Sequence, residues 1–440
     1  MPLPRLARYP AIGGIIGFAT IPAGTNHEVI RVQAADRGES KGVLYTKGGE
    51  NTVVCLMHPR ADMSRHYLTP NLVEAGYAVF GQESRWPGND VACIHEMLLT
   101  DIAAGLVLLK DRGFQKIVFI GNSGGGSLYS FYQAQAVMPP PGRHTDTAGG
   151  DPYDLNRFTM PPADGLIILA AHLGEGKYLE KSIDPSVADE NDPLSCDASL
   201  DMYNPANGFR EPPEPSTYSV EFLARYRAAQ TARVARLDAI ARRAIEDQRH
   251  FQELARDAEF DQLPRDRRSF IGRRALLGSY MVIHRTEANP AFTDPSISPS
   301  SRDYGSIFSP RPDLFNYCEF GFSKYMTPRG WLSTWSGLSS RAAVLDNMPQ
   351  IKIPTLVVNY TGDHSIYPDD SAAILERSGA SDKKMVNVDA DHFGFPLADS
   401  AARSPNQGAG ESASRGQNHV GRAGAGKVIT AWLHERFPAR

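Results

Sequence analysis

Short apolar runs alternate with longer amphipathic ones over the first 171 residues. "HEVIRVQA", "GVLYTK", "NTVVCLMH" and "YAVFGQ" read as strands, with a helical "LTPNLVEAG" before the last of them. In "IHEMLLTDIAAGLVLLKDRG" apolar residues recur three and four apart, which predicts a longer helix. "KIVFIGN" and "DGLIILAA" add a fifth and a sixth strand. The later strands are apolar at consecutive positions, the pattern of a mostly parallel sheet flanked by helices on both faces. The predicted fold class is α/β.

After Ala171 this pattern stops for about 170 residues, far longer than an ordinary connection. The interval opens with a polar, proline-dotted section, Lys181 to Pro215, and continues as one long helical pattern, "SVEFLARYRAAQTARVARLDAIARRAIEDQRHFQELARD". It closes with an aromatic-rich section from Phe308 to Trp335. Strands return in "IKIPTLVVNYTGDH" and "KKMVNVDADHFGF", and "AGKVITAWLHERF" predicts a last helix. The expected organisation is an α/β core in two parts, 1–171 and 341–440, interrupted after the sixth strand by a large, mainly helical cap at 172–340. Arginines interleaved with acids along the long helix predict a solvated face laced with ion pairs, and a homodimer contact there stays open. A Ser/Ala/Gly/Asn tract from Asp399 to Gly426 is expected to be a mobile loop.

Composition narrows the partners. The 440 residues carry a formal net charge of -4, with 41% hydrophobic and 22% charged residues, which gives no pull toward nucleic acid or an anionic membrane. No stretch reaches the ~20 uninterrupted apolar residues of a membrane-spanning helix. Cys55, Cys93, Cys196 and Cys318 are far apart and form no CxxC pair, so neither a metal site nor a disulfide framework is expected. They read as reduced thiols of a cytoplasmic protein. Near the N-terminus two arginines precede an apolar run, as in a secretory signal, but glycines, prolines and the missing A-x-A site favour packed structure.

The candidate chemistry lies where the fifth strand meets the next helix, at Gly121-Asn122-Ser123-Gly124-Gly125-Gly126. Strand, G-x-S-x-G, helix is a nucleophile elbow, a sharp turn that lifts the serine above the sheet and needs small neighbours. A phosphate-binding loop would end in Gly-Lys-Ser/Thr, and a dinucleotide loop would read G-x-G-x-x-G; neither fits. Ser127 lacks the following small residue.

On these residues the chain resembles a serine hydrolase of the α/β-hydrolase superfamily from His27 to Ala171 and again from Arg341 to the C-terminus. The intervening segment matches no family in this way. The resemblance implies the chain order nucleophile, acid, histidine. Ser123 is followed by Asp363, after the strand "IPTLVVNY", and by His392, after the last strand. Both strand ends are where α/β sheets build sites. Asp369 and Asp370 are the rival acids, and His364 and His419 the rival histidines; Asp389 and Asp391 read as turn groups. The Gly124 N–H is expected to bind the oxyanion, with a second donor from the loop after the third strand. There Pro59 has no N–H, so Arg60 is the candidate through its backbone, and His58 reads as a loop brace.

The implied reaction is hydrolysis of a carboxylic ester, lactone or thioester through an acyl-enzyme, with no cofactor or metal. Phe308, Phe315, Tyr317, Phe320, Phe322, Tyr325, Trp331 and Trp335 suggest that some rings reach the cleft, and hence a bulky, largely apolar small-molecule substrate. The alternative is a C–C bond hydrolase acting on a diketone or ring-cleavage product with the same triad. A binding module that kept the fold and lost the chemistry is a third reading. Epoxide hydrolases and dehalogenases of this fold carry aspartate where this chain has Ser123.

Overall fold

The computed structural model describes residues 16–89, 91–397 and 420–440. Six strands precede the long interval: β1 (Asn26–Gln33), β2 (Glu39–Thr46), β3 (Thr52–Met57), β4 (Ala78–Gln82), β5 (Lys116–Asn122) and β6 (Gly165–Leu169). Within the interval β7 (Met281–Val282) pairs with β8 (Tyr325–Met326), apart from the main sheet. β9 (Thr355–Tyr360) and β10 (Lys383–Val388) follow. The main sheet has eight strands in the order β1-β2-β4-β3-β5-β6-β9-β10. β2 runs antiparallel to both its neighbours and all other pairings are parallel.

β3 shows why its residues are apolar at every position. Val53, Cys55 and Met57 enter one core, with Phe80, Leu98, Ile102, Phe119, Leu128 and Phe131. Val54 and Leu56 enter the core on the opposite face, with Leu72, Val79, Ile120, Ile429, Trp432 and Leu433. Side chains alternate across a strand, so burial on both faces demands an unbroken apolar run. The helices α1 (Thr69–Glu74), α2 (His95–Asp111) and α3 (Gly124–Val137) supply these layers, with α7 (Pro368–Arg377) and α8 (Val420–Arg436) from the C-terminal part. Ile16 and Phe18 are buried in the second core; the residues before them lie outside the described ones.

Between β6 and β9 lie α4 (Glu175–Ser182), α5 (Val220–Arg256) and α6 (Arg265–Leu276). The Ser219 side chain caps the 37-residue α5 by accepting the Phe222 N–H. α5 turns Phe222, Tyr226, Val234, Leu237, Ala241 and Ile245 inward at helical spacing. They join two cores separate from those of the sheet, one holding Trp331 and Trp335 and the other Met202 and Tyr218. After Leu276 only short turns of helix remain, so the helical character is concentrated in the first two-thirds of the segment.

Two expectations are corrected here. α5 is not solvated at every arginine: Arg233 is 1% exposed, pairs with Glu190 at 2.8 Å and donates to the carbonyls of Asp184 and His284. The low-complexity tract is not wholly loop either, because residues 420–426 belong to α8, whereas 398–419 lie outside the described residues. A Cβ on Gly421 would come within 2.6 Å of the Gly394 carbonyl oxygen, and one on Gly426 within 2.8 Å of Asn71. These glycines let α8 lie close to its neighbours, a packing demand that looks in composition like disorder. Among the described residues no helix is long and apolar enough to cross a membrane.

Candidate active site

β5 ends at Asn122 and α3 begins at Gly124, leaving Ser123 alone between them. Its φ of 53° and ψ of -124° place a non-glycine residue in a sparsely populated region, at a cost of about 1–3 kcal/mol. None of the four adjacent glycines has positive φ; the strained residue is the serine itself. The glycines supply space instead. A Cβ on Gly121 would lie 2.5 Å from the Gly126 Cα, and one on Gly125 would lie 2.5 Å from the Met57 carbonyl oxygen. Both obstacles are backbone, so the turn closes only without those side chains.

The residue before the serine is anchored by contacts invisible in the motif. Asn122 donates through Nδ2 to the Leu169 carbonyl, and its Oδ1 lies 3.2 Å from His66 Nε2. His66 Nδ1 accepts the Leu68 N–H, which leaves the proton on Nε2 to reach Asn122. Burial pushes the His66 pKa down to about 3, so this imidazole stays neutral.

Two strands over, Asp363 follows β9 and His392 follows β10. His392 Nδ1 lies 2.7 Å from Asp363 Oδ2, while Asp363 Oδ1 accepts the N–H groups of Ser365 and Ile366. Burial by itself lowers the His392 pKa, but the Asp363 charge and hydrogen bond, with help from Asp391, raise it above the ordinary histidine value. Asp391 otherwise braces the turn by accepting from Phe393 and Phe395. Asp370 is engaged by Lys181 at 2.8 Å, and His419 lies outside the described residues. Among the described residues no hydrogen bond joins Ser123 to His392, and none pairs His364 with Asp363.

The fold is that of the α/β hydrolases. The sheet order, the antiparallel second strand, the elbow after β5 and the carboxylate–imidazole pair after the last two strands carry that statement. No family model matches the chain, and no curated protein matches it. Solved structures similar to it include DcsB bound to its substrate analogue, at 11% identity and TM-score 0.46 over 94% of this chain and 100% of that one. The Pyrococcus furiosus esterase Pf2001 is 12% identical with TM-score 0.41, covering 96% and 98% of the two chains. An α/β-fold hydrolase from Bacillus anthracis str. Sterne is 12% identical with TM-score 0.37, covering 88% and 99%. At these values the likenesses bear on neither site nor reaction.

The loop after β3 departs from expectation. The N–H groups of Arg60 and Ala61 point to His58 Nδ1, at 3.2 and 3.1 Å. His58 is therefore a loop brace, and the Arg60 N–H, the expected backbone oxyanion donor, is hydrogen-bonded to it. Arg60 acts through its side chain: Nη1 pairs with Glu175 at 2.7 Å, and the guanidinium lies 4.6 Å from the Phe322 ring and 4.7 Å from the Trp335 ring. Burial, the largest single influence, would raise the Glu175 carboxyl; the charge and hydrogen bond of Arg60, with His172 and His58, together outweigh it and hold the pKa down at about 2. Glu175 Oε1 has no hydrogen-bond partner, and it lies 2.3 Å from where a Gly124 Cβ would be. Nothing in the sequence pairs Arg60 with Glu175, 115 residues away.

The aromatic section is mostly self-associated. Phe308 stacks on Phe315 and meets Phe320 and Phe322 edge-on, and Trp331 donates to Asp238. Tyr317 and Tyr325 are exposed.

Proposed function

We propose that the protein is a serine hydrolase that cleaves a carboxylic ester, lactone or thioester through an acyl-enzyme. The observation that carries this reading is the buried Asp363–His392 pair, set at the ends of β9 and β10 in the same sheet whose β5 presents the strained Ser123. In this mechanism His392 Nε2 takes the Ser123 hydroxyl proton as Oγ attacks the carbonyl carbon. Asp363 holds the imidazole by Nδ1 and stabilises the imidazolium. The Gly124 N–H, first in α3 and so without an intrahelical acceptor, donates to the oxyanion. His392 then gives its proton to the leaving group, and the same base activates the water that releases the acid.

The 172–340 segment serves as the cap in this reading. It leaves the sheet beside the elbow and sends Glu175, Phe322 and Trp335 to grip Arg60. A bulky, largely apolar substrate remains part of this reading: Phe322 and Trp335 lie against Arg60, while Phe308, Phe315 and Phe320 pack on one another. A panel of p-nitrophenyl esters, with Ser123→Ala as control, tests the reaction. Ester turnover that vanishes in the variant is the expected result. Turnover of a β-diketone without ester turnover would move the assignment to C–C bond hydrolysis.

A further inference from the structure

An acyl-transfer site needs more than one donor at the oxyanion, and at the loop positions expected to supply the second, 59–61, none is to spare. Pro59 has no N–H, and those of Arg60 and Ala61 are spent on His58 Nδ1. That expenditure has a consequence for the imidazole. A nitrogen that accepts two backbone N–H groups carries no proton, so in the neutral ring the proton sits on Nε2. His58 Nε2 lies 2.8 Å from the place a Gly124 Cβ would occupy, beside the residue whose own N–H is the first donor. The ring is 5% exposed, and burial, then the neighbouring Arg60 charge, pushes its pKa down to about 3. It is thus a fixed, neutral, single-proton donor.

We propose that His58 Nε2–H is the second oxyanion donor, the imidazole replacing the backbone group that Pro59 and the turned Arg60 withhold. The assignment rests on the serine-hydrolase reading and deepens it. No proton is transferred: Nε2–H hydrogen-bonds the carbonyl oxygen, more strongly as negative charge builds on it, and the ring returns unchanged. A neutral ring suits this task, because an imidazolium would need a proton on Nδ1 and would break the loop that aims it. The Glu175 carboxylate, also beside Gly124, would oppose an oxyanion if left alone. Its ion pair with Arg60 at 2.7 Å offsets that charge, which gives the Arg60 side chain a positioning role.

Two isosteres separate donation from bracing. His58→Asn places an amide oxygen near the former Nδ1, keeping an acceptor for the two N–H groups, but removes the Nε2 donor. His58→Gln places an amide N–H near the former Nε2 but loses the brace. With p-nitrophenyl acetate and butyrate, the proposal expects His58→Asn to keep the wild-type melting temperature and KM while kcat falls on the order of 10²–10³-fold. His58→Gln should melt lower yet retain more kcat than His58→Asn. A stable His58→Asn variant with near-wild-type kcat overturns the assignment, as does loss of kcat in both variants that merely follows loss of stability. Ser123→Ala keeps the two claims apart. If it abolishes turnover while His58→Asn does not, only the donor assignment fails; if it leaves turnover intact, the hydrolase reading fails and the donor with it.

Discussion

The sheet and the segment inserted between β6 and β9 bury different things. The sheet is held by apolar strands packed on both faces, and the ionisable groups it buries are few and local: Asp363, His392 and His58 just past strand ends, His66 in the loop before α1, and Glu96 and Asp101 on α2. The inserted segment has smaller apolar cores and carries ionic groups through its interior. Arg233 binds Glu190, Arg285 lies 3.8 Å from Asp184, and Glu287 and Lys324 are both enclosed. Buried charges are costly unless paired and hydrogen-bonded. In the sheet region that cost falls on the strand ends and on α2, where Asp101 pairs with Arg85 at 2.6 Å, whereas in the segment it runs through the interior as structure.

The largest expected effect isolates the strand-end charges. Asp363→Asn should lower kcat by about 10⁴-fold, through loss of the correct histidine tautomer, while the sheet stays folded. The wild-type kcat/KM should rise with pH through the raised His392 pKa, above the ordinary value of about 6.5, because the base must be neutral to accept the serine proton. A pH–rate profile on both proteins checks this; a large loss of stability in Asp363→Asn would blur the contrast between the regions.

The reverse outcome is expected in the inserted segment. Arg233→Ala should cost about 1–3 kcal/mol in urea unfolding, because Glu190 keeps only Arg236 and the carbonyls of Asp184 and His284 lose a donor, with kcat per folded molecule unchanged. Leu56→Ala in β3 should cost a similar or larger amount, about 2–5 kcal/mol, through lost burial and the cavity. Salt should alter the first penalty more than the second.

The last effect is graded with pH. His58 and His66 at about 3 and His172 at about 4 are all depressed, chiefly by burial. Unfolding exposes them, so between about pH 6.5 and 4 the unfolded chain binds more protons than the folded one. Stability is therefore complete above the unfolded value and is lost as pH falls, by up to about 1.4 kcal/mol per pH unit for each histidine. Urea midpoints across this window, with His66→Gln reducing the slope, would show that buried neutral histidines such as His66 carry the acid sensitivity.

The same division governed what could be read from residue order. Apolar runs report burial directly, so the α/β alternation, the elbow and the strand ends bearing Asp363 and His392 were legible in local pattern. The partners of Arg60 were not, since Glu175, Phe322 and Trp335 reach it only through tertiary packing. Nor was the tautomer of His58, which depends on two N–H groups turning back on the ring. Glycines in 420–426 resembled a flexible tract because close helix packing and disorder favour the same residue. Arg233 looked solvent-facing because its partner Glu190 lies in the irregular section that precedes α5.

The most direct measurement of the central claim is mass spectrometry of the intact protein after reaction with a fluorophosphonate, followed by peptide mapping. The account predicts one adduct, on Ser123, abolished in Ser123→Ala and slowed in Asp363→Asn. An adduct on another residue, or none on a folded protein, would contradict it.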